Sequence, residues 1–198
     1  MSREEAEVVR QPIAKAGHPR RRLEERLGLR FPRASAFLAG RVLRLTPRSR
    51  LRQAVVRRAV QLGYGAMNRG DYDAAFMLYH PDVEHSTPPL FAGLGTESVT
   101  HGREERVRFQ RRWSTEWGEI RVEPEEIFDL GSRLLVVGRL EASGLRSGAS
   151  VENEWAQLLT LSAGQVIREQ AFSGHGEAFE AAGLASTGHA PPPAPGDF

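Results

Sequence analysis

His85, in the stretch His80-Pro81-Asp82-Val83-Glu84-His85-Ser86, is the side chain best placed to move a proton at neutral pH. Its unperturbed pKa, about 6.5, lies close to working pH. Glu84 stands beside it, but the stretch alternates as a strand, and adjacent strand residues point to opposite faces. His85 therefore shares a face with Val83 and acts without Glu84, either as an acid or base or as a hydrogen-bonded wall residue.

A second group of polar side chains stands near the C-terminus, in "VENEWAQLLT" and "QVIREQAF". If Ala163-Gly164 is a two-residue hairpin loop, Ser162 pairs with Gln165. Straight continuation of that register sets Gln157 opposite Gln170 and Trp155 opposite Phe172, on one face. Two amides beside two aromatics suit the wall of a ligand cavity, with Trp113 from a preceding helix as a further wall. Glu152, Glu154 and Glu169 then fall on the other face, so no carboxylate of these two strands looks inward. Carboxamides can bind a carbonyl or hydroxyl but cannot titrate. The expected site is His85, Trp113, Trp155, Gln157, Gln170 and Phe172, with His85 the candidate catalytic residue. His101 is expected on a loop surface or at the pocket mouth.

Other chemistries find no support. There is no Cys, and the six His form no close ligand pair on one helix or strand face, so neither a metal nor a cofactor is expected. The Gly93 and Gly95 stretch lacks the Lys and the strand-to-helix setting of a phosphate loop. No Ser-centred nucleophile elbow is present.

The elements that would position these groups run in a clear order. Residues 1–19 are polar and aperiodic and are expected to be disordered. Residues 20–49 form a basic helical extension divided at Pro32. Thr46-Pro47 is expected to cap a long helix with Leu51, Val55, Ala59, Leu62 and Met67 along its buried side. Asp71 caps a second, "YDAAFMLYH". A strand from Val83 to Thr87 follows. The helix "REERVRFQRRWSTEW" places Phe109, Trp113 and Trp117 on one face. Then come strands with turns at Gly131-Ser132, around 144–148 and at Ala163-Gly164, the short helix "GEAFEAAGL", and a Pro-rich tail over 185–198, also expected to be disordered. Helices before a run of antiparallel strands give an α+β class, with the domain over 50–184.

Charge is divided along the chain. Residues 1–58 hold 16 Lys or Arg against 5 Asp or Glu, and the remainder hold 11 against 20. A basic arm on an acidic body packs against that body on the favoured reading, and admits nucleic acid or an anionic membrane as alternative partners. No apolar run reaches the length of a membrane span, and the first residues lack the apolar segment of a secretion signal, so a cytoplasmic protein is expected.

The succession "GDYDAAFMLYHPDVE", "HGREE", "FDLGSRLLVVGRLEASG", "VENEWAQLLTLSAGQVIREQAF" and "EAFEAAGL" resembles the SnoaL-like branch of the NTF2-like superfamily over residues 50–184. That resemblance implies a cone, a curved sheet wrapped around helices with a pocket at its open end, and dimerisation through the sheet. It also implies relatives as varied as ketosteroid isomerases, polyketide cyclases, dehydratases and epoxide hydrolases, so fold alone does not choose a reaction. Related sequences often carry His near Gln157, a carboxylate near Gln170, Tyr at Phe172 and Asp at Gly174, and this chain departs at all four. The expected function is binding of a small, largely apolar ligand with one polar group, without strong acid–base chemistry. The alternatives are an isomerase, cyclase or dehydratase using His85, and an interaction module acting through the arm.

Overall fold

The computed structural model describes residues 8–13, 20–87, 99–116, 120–143 and 150–184. Seven strands form one sheet: β1 (Val9–Pro12), β2 (Tyr79–Ser86), β3 (Val99–His101), β4 (Ile120–Asp129), β5 (Arg133–Ser143), β6 (Ser150–Ser162) and β7 (Gln165–Phe172), in the spatial order β1-β4-β5-β6-β7-β2-β3. All neighbours are antiparallel except β2 and β7, which run parallel. The helices are α1 (Leu23–Arg30), α2 (Pro32–Leu43), α3 (Arg50–Asn68), α4 (Tyr72–Ala75), α5 (Arg103–Glu116) and α6 (His175–Ala182). This is the expected α+β, NTF2-like arrangement.

The two sheet faces bury different clusters. One carries Val122, Ile127, Leu134, Val136, Trp155 and Leu159 against α3 and α5. The other carries Leu135, Val137, Ala156 and Leu158 beneath Ala178 and Ala182 of α6. Strand alternation accounts for the division, since β5 and β6 are apolar on both sides. No helix among the described residues is long and apolar enough to cross a membrane.

Several local expectations need correction. Residues 9–12, assigned to a disordered start, pair with β4 as an edge strand. The long helix starts at Arg50 with Ser49 as its N-cap, rather than at Thr46-Pro47. Its buried side runs through Arg52, Val56, Val60 and Tyr64 as well as the expected Leu62, with Val55, Ala59 and Met67 facing a cavity, while Leu51 is exposed. Asp71 caps α4 as expected, but that helix stops at Ala75, and the first inner strand begins at Tyr79. Pro81, which cannot donate to a ladder, lies in the irregular stretch of β2 between its pairings at Tyr79 and Glu84.

Several contacts join the N-terminal helices to the cone, among them an ion pair and a turn. Asp71 accepts from Arg21 at 2.6 and 2.7 Å. Arg21, with Arg69 beside it, holds that carboxyl down at about 2. Gly164, at φ +84°, meets α2 so closely that an added Cβ would stand 2.0 Å from the Ala36 carbonyl oxygen. The turn Ala163-Gly164 has positive φ at both residues, the signature of a type I′ hairpin, and α2 rests on it. The 1–7, 14–19 and 185–198 segments, Trp117, and the turn at 144–148 lie outside the described residues.

Candidate functional site

The β6–β7 hairpin decides what faces the inside of the cone. Ser162 pairs with Gln165 and Leu161 with Val166, as expected. The register then shifts by one, so that Thr160 pairs with Arg168, Leu159 with Glu169, Leu158 with Gln170, Gln157 with Ala171 and Ala156 with Phe172. The extra residue on β7 is Ile167, which stands out to solvent as a β-bulge. A one-residue slip turns every later side chain to the other face.

The expected pairings of Gln157 with Gln170 and Trp155 with Phe172 are therefore corrected. Gln170 lies on the outer face with Leu158, and Phe172 packs with the outer cluster beneath α6. Glu169, expected outside, is completely buried inside the cone. Trp155, Gln157, His85 and Trp113 are buried and brought together inside, as expected. Glu84 points away and pairs with Arg168 at 2.8 Å. Glu152 and Glu154 also face outward, Glu154 accepting from the His175 amide. His101 is exposed on β3.

Glu169 meets a cation that the sequence reading passed over. Arg106, on α5, donates to it through Nε at 2.8 Å and Nη2 at 3.0 Å. This two-point geometry is the strongest arrangement available to the pair. The third arm of the guanidinium reaches Gln110 Oε1 at 2.8 Å, and its Cζ lies 4.3 Å from the Phe76 ring centroid. Gln157 donates its amide to Glu169 Oε1, and Tyr64 donates its hydroxyl to Gln157 Oε1 at 2.6 Å. Tyr79 also faces the carboxylate. Burial, with the Glu169 charge nearby, raises both tyrosines, so both remain protonated donors.

Protonation states follow from this geometry. Burial alone would push the Glu169 carboxyl up, but Arg106, with His85 beside it, outweighs burial and holds it far below the ordinary carboxylate range. Arg106 keeps its charge because the Glu169 carboxylate outweighs its own desolvation. Burial and the Arg106 charge lower His85, and Glu169 only partly opposes them. His85 is therefore a neutral imidazole at pH 7. Its Nδ1 lies 3.5 Å from Glu169 Oε2, and its ring is tilted on Phe109 at 5.2 Å.

Two cavities adjoin this network and share Met67 and Gln157. The larger, about 130 Å³, lies among α2, α3, α4 and the sheet, with apolar walls that include Ala59, Val60, Phe76 and Leu159. Tyr64 and Gln157 supply its polar end. The smaller, about 40 Å³, is bordered by His85, Thr87, Arg106, Trp113 and Gln157. Neither ring nitrogen of His85 nor the Thr87 hydroxyl has a formed hydrogen bond among the described residues. One water needs about 10–15 Å³ measured this way, so the small cavity accommodates a polar group of a few heavy atoms.

The depressed His85 pKa carries a sign for stability. The unfolded chain takes up this proton near 6.5, and the folded protein only at lower pH. The stabilisation is complete above 6.5 and is lost as pH falls toward the folded value. Urea unfolding at pH 7 and pH 5.5 should show the wild type losing more stability than His85→Gln over that interval. Equal losses would mean that His85 protonates as readily folded as unfolded.

Signals for the missed residues existed. Arg106 falls on the helical stripe of Phe109, Gln110 and Trp113, at i, i+3, i+4 and i+7. A cation on a buried stripe requires an internal partner of opposite sign. Glu169 was the carboxylate one register step away. Nothing in the sequence marks Ile167 as the residue that bulges.

A SnoaL-like domain model matches residues 57–169, more than half of the chain. No curated protein matches the sequence. Among solved structures, an NTF2-like protein of unknown function from Burkholderia pseudomallei K96243 is 23% identical, covering 62% of this chain and 93% of its own, with a TM-score of 0.55. TerC co-crystallised with polyporic acid is 24% identical, covering 62% and 94%, also at 0.55. The epoxide hydrolase/cyclase-like SalBIII, from pyran ring formation in the polyether salinomycin, is 19% identical, covering 62% and 92%, at 0.50. At these identities the structures establish a shared fold. With that domain model covering residues 57–169, this chain belongs to the SnoaL-like domain family of NTF2-like proteins.

Proposed function

We propose that the protein binds a small, largely apolar molecule inside the cone, its body in the 130 Å³ cavity and its polar group on Gln157 and Tyr64. The observation that carries this reading is a cavity with apolar walls and one hydrogen-bonding end, the usual composition of a small-molecule site. Gln157 Oε1 keeps a second lone pair for a ligand hydroxyl. Glu169 takes no part as a base on this reading, because Arg106 occupies both of its oxygens.

Phenol, an apolar ring with one hydroxyl, is a suitable probe. At ten times its Kd it should stabilise the folded protein by about 1.4 kcal/mol. That corresponds to a melting-temperature rise of roughly 3–6 °C. Ala59→Phe, which fills the cavity, should abolish the rise. Absence of any rise with phenol, together with native mass spectra of the purified chain showing only its own mass, would refute the reading.

A second reading rests on His85, a neutral imidazole backed by Glu169 and bordering the small cavity, with no hydrogen bond formed at Nε2 among the described residues. It is the arrangement of a general base for an isomerase, cyclase or dehydratase acting on a carbonyl or hydroxyl compound. His85→Gln separates the two: turnover disappears under the enzymatic reading, while only probe affinity changes under the binding reading.

A further inference from the structure

Seven of the ten exposed large hydrophobic side chains among the described residues fall between residues 23 and 51: Leu23, Leu27, Phe31, Phe37, Leu38, Leu45 and Leu51. The same region is the most basic of the chain, with 16 Lys or Arg against 5 Asp or Glu over residues 1–58. On α2 the outward positions follow helical spacing, with Arg33, Phe37, Leu38 and Arg41 exposed in succession and Arg44 and Leu45 just beyond. Phe37 is 63% and Leu38 62% exposed. The Arg41 guanidinium lies 5.9 Å from the Phe37 ring centroid. Phe37, Arg41, Arg44 and Leu45 border one groove of about 560 Å³ against the β6–β7 turn. The arginines of this face differ from those that secure the arm. Arg21 and Arg52 are paired with Asp71 and Asp129. Arg33, Arg41 and Arg44 form no salt bridge with any described residue. α1 continues the composition, with Leu23, Leu27, Arg26 and Arg30 exposed.

We propose that the outer face of α2 docks on an anionic lipid surface. Charge complementarity and the interleaved apolar side chains select this occupant. Arginines pair with lipid phosphates in two-point contacts. Phe37 and Leu38 enter the boundary between headgroups and acyl chains, as on other interfacial amphipathic helices. A nucleic acid would satisfy the arginines and stack on Phe37, but would leave Leu38 and Leu45 in water. The opposite side of this helix, through Ala39 and Leu43, walls the 130 Å³ cavity. The docking stands on exposure and charge, independently of what that cavity holds.

Cosedimentation of the full chain with vesicles tests it. The protein should bind vesicles of phosphatidylcholine containing about one-third phosphatidylglycerol, should not bind phosphatidylcholine alone, and should be released at high salt. Arg33→Gln/Arg41→Gln/Arg44→Gln should weaken binding about 100-fold. Phe37→Ser/Leu38→Ser should weaken it at least about tenfold. Circular dichroism should be unchanged in both, since all five side chains are exposed. Failure to bind phosphatidylglycerol vesicles, or full binding by either folded variant, overturns the proposal. So does preference for a double- or single-stranded oligonucleotide over vesicles, with Phe37→Ser/Leu38→Ser retaining that preference.

Discussion

Glu169→Gln lowers the stability of the protein by about 3–5 kcal/mol, the cost of leaving one member of a buried ion pair without its partner. At this chain length the melting temperature falls by roughly 6–20 °C. The substitution preserves shape but turns one acceptor oxygen into an N–H donor facing Arg106 and Gln157, so the loss reports the charge and its hydrogen bonds together. Arg106, 3% exposed, would remain cationic with no carboxylate beside it. Arg106→Met has a similar cost and a second effect. Without the guanidinium, burial acts on Glu169 unopposed by that charge, and its carboxyl rises toward the neutral range. The double replacement Arg106→Met/Glu169→Leu costs less than either single replacement, because it removes both charges at once and leaves only the Gln110 and Gln157 amides without those partners. Urea denaturation of the wild type, Arg106→Met, Glu169→Leu and the double variant gives the coupling directly. Were Glu169 on the outer face, as uninterrupted alternation of β7 requires, Glu169→Gln would change stability by no more than about 0.5 kcal/mol.

Arg52→Met is the second large effect, also about 3–5 kcal/mol. Arg52 is 1% exposed and its pair with Asp129 has both N–O distances at 2.7 Å. The same guanidinium donates to the carbonyls of Leu45, at 2.8 Å, Leu43 and Gly131. It therefore fastens the end of α2 and the start of α3 to the β4–β5 turn. Loss of the side chain leaves the Asp129 carboxylate buried without its cation and frees two carbonyls at the C-terminal end of α2. Besides the drop in stability, amide exchange over residues 32–45 should accelerate, since this helix has few other attachments. A loss below about 1 kcal/mol with unchanged exchange would show that α2 is held by its packing on the Ala163-Gly164 turn instead.

These two arginines mark where sequence reading stops. Turn chemistry and one of two caps were legible: Asp71, the Gly131 turn and the Ala163-Gly164 hairpin occur where expected, while the cap expected at Thr46 falls on Ser49. His85 was legible too, because a two-residue period settles which neighbour points inward. The face of α3 was legible only in part. Of its expected stripe, Leu62 is buried and Val55, Ala59 and Met67 wall the cavity, but Leu51 is exposed and the deepest line begins one residue later, at Arg52. A residue scale assigns Arg to solvent and cannot see that Asp129 and three carbonyls converge on it from distant parts of the chain. The same blindness covers Arg106. The Ile167 bulge is a different failure, since Val166-Ile167 reads equally well in either register and only the pairing with β2 and β6 chooses. That single choice moved Glu169 inside and carried Gln170 and Phe172 out.

The chemistry of the cone depends on whether Glu169 is a fixed counter-charge or a titrating base. Carbon-13 NMR of the side-chain carboxyls, with Glu169 assigned by comparison with Glu169→Gln, answers this directly. The Glu169 resonance should remain at its ionised position down to the lowest pH at which the protein stays folded, while exposed glutamates titrate. A Glu169 resonance that titrates near the ordinary 4.5, or above it, would contradict the structure of the site and return this carboxyl to the candidates for acid–base catalysis.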